Sequence, residues 1–139
     1  MMKMKIEKIE KGDTVMADLR FAKDETQELA SPVPGRYARV MFDQKMIPGA
    51  QCSMGIMRFE PEVEAQAHFH DTEVEVYFGL QGEGEVTIDG QPYRFGPGVA
   101  VYVPPKSLHQ TRNVGDGVLE FACFFAPAVS LDFMREWAK

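Results

Sequence analysis

The feature that most constrains this chain is a succession of short runs in which apolar and polar residues alternate. Nine can be read along it: TVMADLRF (14–21), RYARVMF (36–42), QCSMGIMRFE (51–60), EVEVYFGL (73–80), GEVTI (84–88), QPYRF (91–95), VAVYV (99–103), HQTRNV (109–114) and VLEFACFF (118–125). A period of two sends successive side chains to opposite faces of an extended strand, so each run predicts a strand with one covered face. Turn chemistry cuts the runs apart. Asp89-Gly90 is a two-residue hairpin signal, because both positions of that turn need a positive φ. Gly96-Pro97-Gly98 and Gly115-Asp116-Gly117 break the chain similarly. The stretch 22–35 lacks a period and holds two prolines, which predicts a loop with at most one helical turn. At the end, PAVSLDFMREWAK predicts a short helix over about 130–138, with Ser130 as N-cap, Asp132 in the first turn, and Leu131, Met134 and Trp137 on one face. The sum is an all-β sandwich or barrel, its edges protected by closure or by a second sheet.

Length and composition narrow the class further. The 139 residues, 45% hydrophobic, suit one folded domain spanning 1–139, with an N-terminal arm over 1–35. No run of 18 apolar residues exists to span a membrane, and the charged start MMKMKIEKIEKGD lacks the apolar stretch of a secretory leader. Two cysteines, Cys52 and Cys123, make no disulfide framework, so the cytoplasm is the expected compartment. The net charge of −6, without a basic run, argues against nucleic acid and anionic membranes as partners. A small molecule or another protein is expected instead.

The chain has three histidines, and two stand in AHFHDTEVEVYFGLQGEGEV (67–86). His68 and His70, two apart on a strand, would share a face and could meet one metal ion. His109 follows a strand and a Pro-Pro turn that forces a bend. Spacing alone does not decide for a metal. Histidines two apart on a strand are commonly solvated, and plain alternation puts Val74, Val76, Phe78 and Leu80 in the core with Glu73 and Glu75 in water.

These residues nonetheless resemble the cupin superfamily in both of its motifs. The first, His-x-His, then Glu after four residues and Gly after six more, is met by His68, His70, Glu75 and Gly82. The second is met by Gly98, Pro104, His109 and Asn113. The motifs cover about residues 62–113, with Glu62 and Lys106 standing where the pattern has glycine. The resemblance implies a cupin double-sheet β-barrel, jelly-roll-like, with its metal-site core over about 50–126. It further implies one divalent transition metal per chain (Mn, Fe, Ni, Co or Zn) on His68, His70, Glu75 and His109. Three imidazoles and a carboxylate suit any of these ions and leave two positions open on a six-coordinate one. Each histidine should then give its other ring nitrogen to a neighbouring acceptor.

Three expectations follow. The ligands change parity between 70 and 75, so a bend is required at Asp71-Thr72. Glu75, not Glu73, is the ligand, so Glu75→Gln should weaken metal retention and Glu73→Gln should not. Val74, Val76 and Phe78 then face outward and need covering by the N-terminal strand or by a partner, for which a homodimer is expected.

Tyr77, Tyr102 and Arg58 are the candidate catalytic groups, with Arg39 and Gln51 as further polar candidates. A strand arginine is more often a surface residue and a strand tyrosine more often a packing residue; in a pocket they would pair with an anion or donate hydrogen bonds. Met54, Ile56, Phe121, Cys123 and Phe125 read as core or apolar lining. The implied function is a metal-dependent enzyme on a small organic substrate, of dioxygenase, isomerase or epimerase, lyase or decarboxylase, or cyclase type. The alternative is a module that binds or senses a small molecule without turnover, and a closed structural zinc site is a third reading.

Overall fold

The structure, a computed structural model, describes residues 18–138. Nine strands form two antiparallel sheets: β1 (Leu29–Ala30), β2 (Arg36–Phe42), β3 (Ser53–Phe59), β4 (Val74–Gln81), β5 (Gly84–Ile88), β6 (Gln91–Phe95), β7 (Ala100–Val103), β8 (His109–Asn113) and β9 (Leu119–Ala126). The larger sheet runs β1-β2-β3-β9-β4-β7 and the smaller β6-β5-β8. Eight of the alternating runs became strands. The ninth does not: within 14–21, residues 18–21 have no regular structure, and the rest lie outside the described residues. β1 was not foreseen, because two residues are too few to show a period. A single 3-10 turn, Lys23–Glu25, is the helical turn expected in that region.

Alternation sorts the strands' faces, and in β4 the inner face is the one the resemblance implied, the reverse of plain patterning. In β4, Glu75, Tyr77 and Gly79 are buried while Phe78 and Leu80 are exposed. In β8, His109, Thr111 and Asn113 are buried and Arg112 is exposed. Between the sheets lie Phe59, Tyr77, Val86, Phe95, Leu119 and Phe121, each at most 3% exposed. Burying side chains of this kind contributes about 1.5–3 kcal/mol apiece, so this layer carries much of the fold. Asn113 fastens the end of the small sheet. Its amide donates to the carbonyls of Phe59 (3.1 Å) and Gly117 (2.9 Å), and its oxygen accepts from Gly115 N–H (2.9 Å).

The backbone takes left-handed turns where the motif pattern calls for glycine. Gly82 has φ +80°, and a Cβ there would run into the carbonyl of Val118. Asp89 and Gly90, at φ 48° and 86°, make the expected hairpin turn. Glu62 and Lys106, the two departures from the pattern, have φ 69° and 67°. The chain therefore keeps the glycine-type backbone and bears the steric cost of a side chain in it.

The C-terminal helix is α1 (Asp132–Arg135) followed by a 3-10 turn, Glu136–Ala138. Its N-cap is Leu131 rather than Ser130. Ser130 Oγ accepts from Asp132 N–H at 3.1 Å, one residue short of a cap. Asp43, fully buried, does the capping from the far side of the sequence. It accepts from Leu131 N–H at 2.8 Å and grips the Arg135 guanidinium through both oxygens at 2.7 and 2.9 Å. Leu131 and Met134 are buried, and Trp137 is half-buried, as one face requires.

Residues 21–28 lie across part of the outer face of the large sheet. Arg39 Nη1 donates to the carbonyl of Thr26 (2.6 Å), Lys23 pairs with Glu120 (2.9 Å), and Phe21 stacks near Phe42 with ring centres 5.6 Å apart. These contacts cover β2, β3 and β9. On β4 and β7, by contrast, Phe78, Leu80 and Tyr102 stay 40%, 42% and 60% exposed.

Candidate metal centre

Glu75 and His109 face each other from opposite sheets. β4 places Glu75 opposite Val103 on one side and Phe125 on the other, and period-2 geometry then turns its carboxylate inward. β8 begins at His109, whose ring is 1% exposed. The two remaining histidines arrive on an irregular extended segment that runs beside β8. His68 N–H donates to His109 C=O (3.0 Å), and His109 N–H donates back to His68 C=O (2.8 Å). Lys106 N–H donates to His70 C=O at 2.6 Å. The chain bends at Asp71-Thr72, where the change of parity required it.

The hydrogen bonds fix which ring nitrogens look inward. A carbonyl oxygen can only accept, so His68 Nδ1–H donates to Gln66 C=O (3.0 Å) and His109 Nδ1–H to Ser107 C=O (3.0 Å). His70 Nδ1 faces the Glu73 carboxylate at 3.3 Å. Glu73 is therefore no bystander. Its carboxylate stands beside the His70 nitrogen that faces away from Glu75, where it can orient the ring.

On the inner side, Glu75 Oε1 lies 3.2 Å from His70 Nε2 and 3.3 Å from His109 Nε2. The His109 contact lacks hydrogen-bond alignment, and its Nε2 is buried with no partner. With Nδ1–H donating to Ser107 C=O, the ring turns Nε2 toward a carboxylate oxygen without bonding to it. In the tautomer with Nε2 bare, two acceptors would meet in a dry site, an arrangement that a cation between them would relieve. The ligand atoms of all four residues fall within 4.8 Å of one another. Atoms that close together on His68, His70, Glu75 and His109 would hold one divalent ion. The donor set and the orphaned nitrogen both fit a divalent metal.

The electrostatics agree with that arrangement. Burial works to raise the Glu75 carboxyl, but the His109 and His70 imidazoles beside it outweigh this and hold the group below the usual carboxylate value. His70 is raised, first by its bond to Glu75. His68 is lowered, chiefly by loss of solvent around its ring. Burial, with Glu75 nearby, pushes the Tyr77 phenol and the Cys123 thiol well up, so both stay protonated.

The cluster opens into a cavity of about 460 Å³ whose walls include Met57, Phe59, Phe121, Phe125, Phe133 and Trp137. Of the sequence candidates, Tyr77 is on this wall, its hydroxyl sharing a 2.7 Å hydrogen bond with Thr111 Oγ1. Phe121, Cys123 and Phe125 line it too. Arg58 does not. It points to the outer face, donates twice to Glu28 (2.8 and 3.0 Å) and covers the Tyr37 ring. Arg39 shares that face. Tyr102 is on the outside of edge strand β7, and Gln51 lies exposed before β3. Ile56 is buried as expected, but with Met54 it falls on the outward register of β3 and not on the cavity. The polar candidates lie outside the cavity because strand parity alone does not say which face is inside.

The inward arginine is Arg36, which was not singled out. It shares its face of β2 with Ala38 and Val40, opposite Phe59, Met57 and Gly55. That alternation, extended by two residues toward the turn, was the signal available.

Comparison with known proteins agrees with this geometry. Dimethylsulfoniopropionate lyase DddW of Ruegeria pomeroyi is 44% identical over 75 residues, 54% of this chain and 48% of that protein. A glucose-6-phosphate isomerase of Pyrococcus furiosus is 32% identical over 75 residues, 49% of this chain and 40% of the isomerase. The chain thus spans half or less of the length of these curated relatives. The structure of KdgF from Halomonas sp. superposes with a TM-score of 0.70 at 18% identity, covering 81% of this chain and 96% of that one. Residues 55–125, just over half of the sequence, match the family model for the cupin domain, and the chain belongs to the cupin family.

Proposed function

We propose that this protein is a metal-dependent enzyme that acts on a small organic substrate, with lyase or isomerase chemistry, at one divalent ion held by His68, His70, Glu75 and His109. The observation that carries the proposal is the buried, partnerless Nε2 of His109 facing Glu75 at the floor of the cavity. Similarity to a lyase and an isomerase supports the choice of reaction class.

When bound, the ion would act as a Lewis acid on a chelated substrate oxygen. The remaining work falls to the chain. Ser107, Gln66 and Glu73 hold the three imidazoles with Nε2 inward. Tyr77, kept protonated, can donate its hydrogen bond to a substrate in the cavity when the Thr111 hydroxyl donates to it. The aromatic wall excludes bulk water and takes an apolar part of the substrate.

The test is elemental analysis of protein purified without chelator, followed by a screen of small organic acids and sugars with the metal found. Turnover that stops with chelator and returns with metal is expected. Tight binding without turnover across the screen would instead make the chain a binding or sensing module.

We also propose that the open outer face of β4 and β7 pairs with a second copy of the chain. Exposure of Phe78, Leu80 and Tyr102 there supports this. Light scattering should give the mass of a dimer; a monomer with this face wet would refute it. No helix among the described residues is long and apolar enough to cross a membrane. Two free thiols, Cys52 and Cys123, support a reducing compartment such as the cytoplasm.

A further inference from the structure

Arg36 is a charged group in the cavity that the metal centre does not use. Its guanidinium lies over the Trp137 ring at 5.0 Å and the Phe59 ring at 5.8 Å. Among the described residues it makes no ion pair, and its Nε is buried without a hydrogen-bond partner. The other well-placed arginines differ. Arg58 has the Glu28 carboxylate, and Arg135 has Asp43. Loss of solvent lowers the Arg36 pKa, opposed through space by Tyr77, Cys123 and Glu75, of which Glu75 alone carries a charge. Glu75 is already committed to two histidines. A half-buried guanidinium lying over an indole and a phenyl ring has its face covered, and its edge, with Nε–H unpartnered, is left to a ligand. That edge is a planar fork, which matches the two oxygens of a carboxylate.

We propose that Arg36 anchors the carboxylate of the substrate, so that the cavity selects a small organic monoacid with an apolar body. The proposal rests on the reading of the His-Glu cluster as the metal end of the cavity, which the rest of such an acid would reach. A carboxylate fits better than a phosphate. A phosphate group brings close to two negative charges at neutral pH, and among the described residues Arg36 is the only Arg or Lys on the cavity wall. The apolar residues that share the cavity wall with Arg36, among them Met57, Phe59, Phe121 and Phe125, suit a hydrocarbon body.

The test compares 4-methylpentanoate with its neutral isostere 4-methylpentanamide, by calorimetry on the metal-loaded protein. The acid should bind about tenfold more tightly or better, the scale of a hydrogen-bonded charge pair. In Arg36→Gln the preference should fall to near unity, with metal content unchanged. Arg36→Lys should keep part of it, because it retains charge but loses the fork. In the native protein the Arg36 Nε resonance should shift with the acid and not with the amide, a readout that needs no variant to fold. If Arg36→Gln keeps the preference and metal removal abolishes it, the acid sits on the metal and the proposal fails while the metal centre stands. Equal binding of acid and amide, or no binding of the acid at millimolar concentration, also overturns it. If the protein takes up no metal, the same preference is expected in the metal-free protein; that outcome removes the metal reading and leaves the carboxylate anchor.

Discussion

Glu75 and His109 are held differently from His68 and His70. The first pair stands on regular strands in opposite sheets, fully enclosed, each fixed by a ladder of neighbours. The second pair comes from a segment outside the ladders, pinned by an isolated bridge from His68 to His109 and by Lys106 N–H on His70. His68 is exposed at the mouth and His70 half-buried. The sheets thus build a rigid, dry floor, and hydrogen-bonded loops complete the rim. A water can replace a lost rim ligand, whereas nothing reaches a lost floor ligand.

That contrast predicts unequal losses. Glu75→Gln and His109→Ala should each lower metal affinity by more than about a hundredfold, beyond what outer-shell changes cost. His68→Ala should cost only about tenfold, since water can enter at the mouth. Chelator competition measures both, and equal losses at floor and rim would break the comparison. Glu73→Gln should cost about tenfold by loosening His70, the scale of an outer-shell partner. Retention identical to the native protein would show that the 3.3 Å contact positions nothing.

Proton linkage separates the metal-free from the metal-bound protein. His70 is held above its usual 6.5, so its contribution is present at low pH and fades as pH rises through the raised value. Glu75 is held below its usual 4.5, so its contribution is present above that value and fades as pH falls through the lowered one. The His70–Glu75 pair thus stabilises the metal-free protein most between about pH 4.5 and 6.5. A metal must displace the His70 proton. The rise in melting temperature on adding metal should therefore be larger at about pH 8 than at about pH 5.5; a flat dependence would mean that His70 is not a ligand.

The smallest effect concerns the rim's backbone. Lys106 sits at φ 67° and carries the N–H that holds His70. Lys106→Gly should stabilise the fold by about 0.5–1 kcal/mol in urea unfolding, because glycine adopts this conformation without a Cβ clash. Destabilisation would show that the lysine side chain offsets its own strain.

The sequence carried much of this in its alternation. Strands β2 to β9 fall within about two residues of the runs that predicted them, since a half-buried sheet imposes a period that sequence records. The cluster was legible because its motif spacing is itself a consequence of β4 and β8 facing each other. What alternation leaves undetermined is which face is inner, and there the sequence reading fell short. Arg39 and Arg58 were weighed as pocket candidates beside the commoner surface reading, which the structure bears out, and Arg36 was passed over, although one register assigns all three. Capping of the helix by Asp43 was invisible for another reason: its partner Leu131 is 88 positions away, and only the closed fold brings them together. Glu73 showed a similar limit, because its turn toward His70 depends on a bend rather than on strand parity.

The most direct measurement is an anomalous difference map, at the metal's absorption edge, from crystals of protein purified without chelator. The account predicts one ion per chain, bonded to Nε2 of His68, His70 and His109 and to the Glu75 carboxylate. An ion bound elsewhere, or a cluster without anomalous density in crystals grown with excess metal, would contradict it.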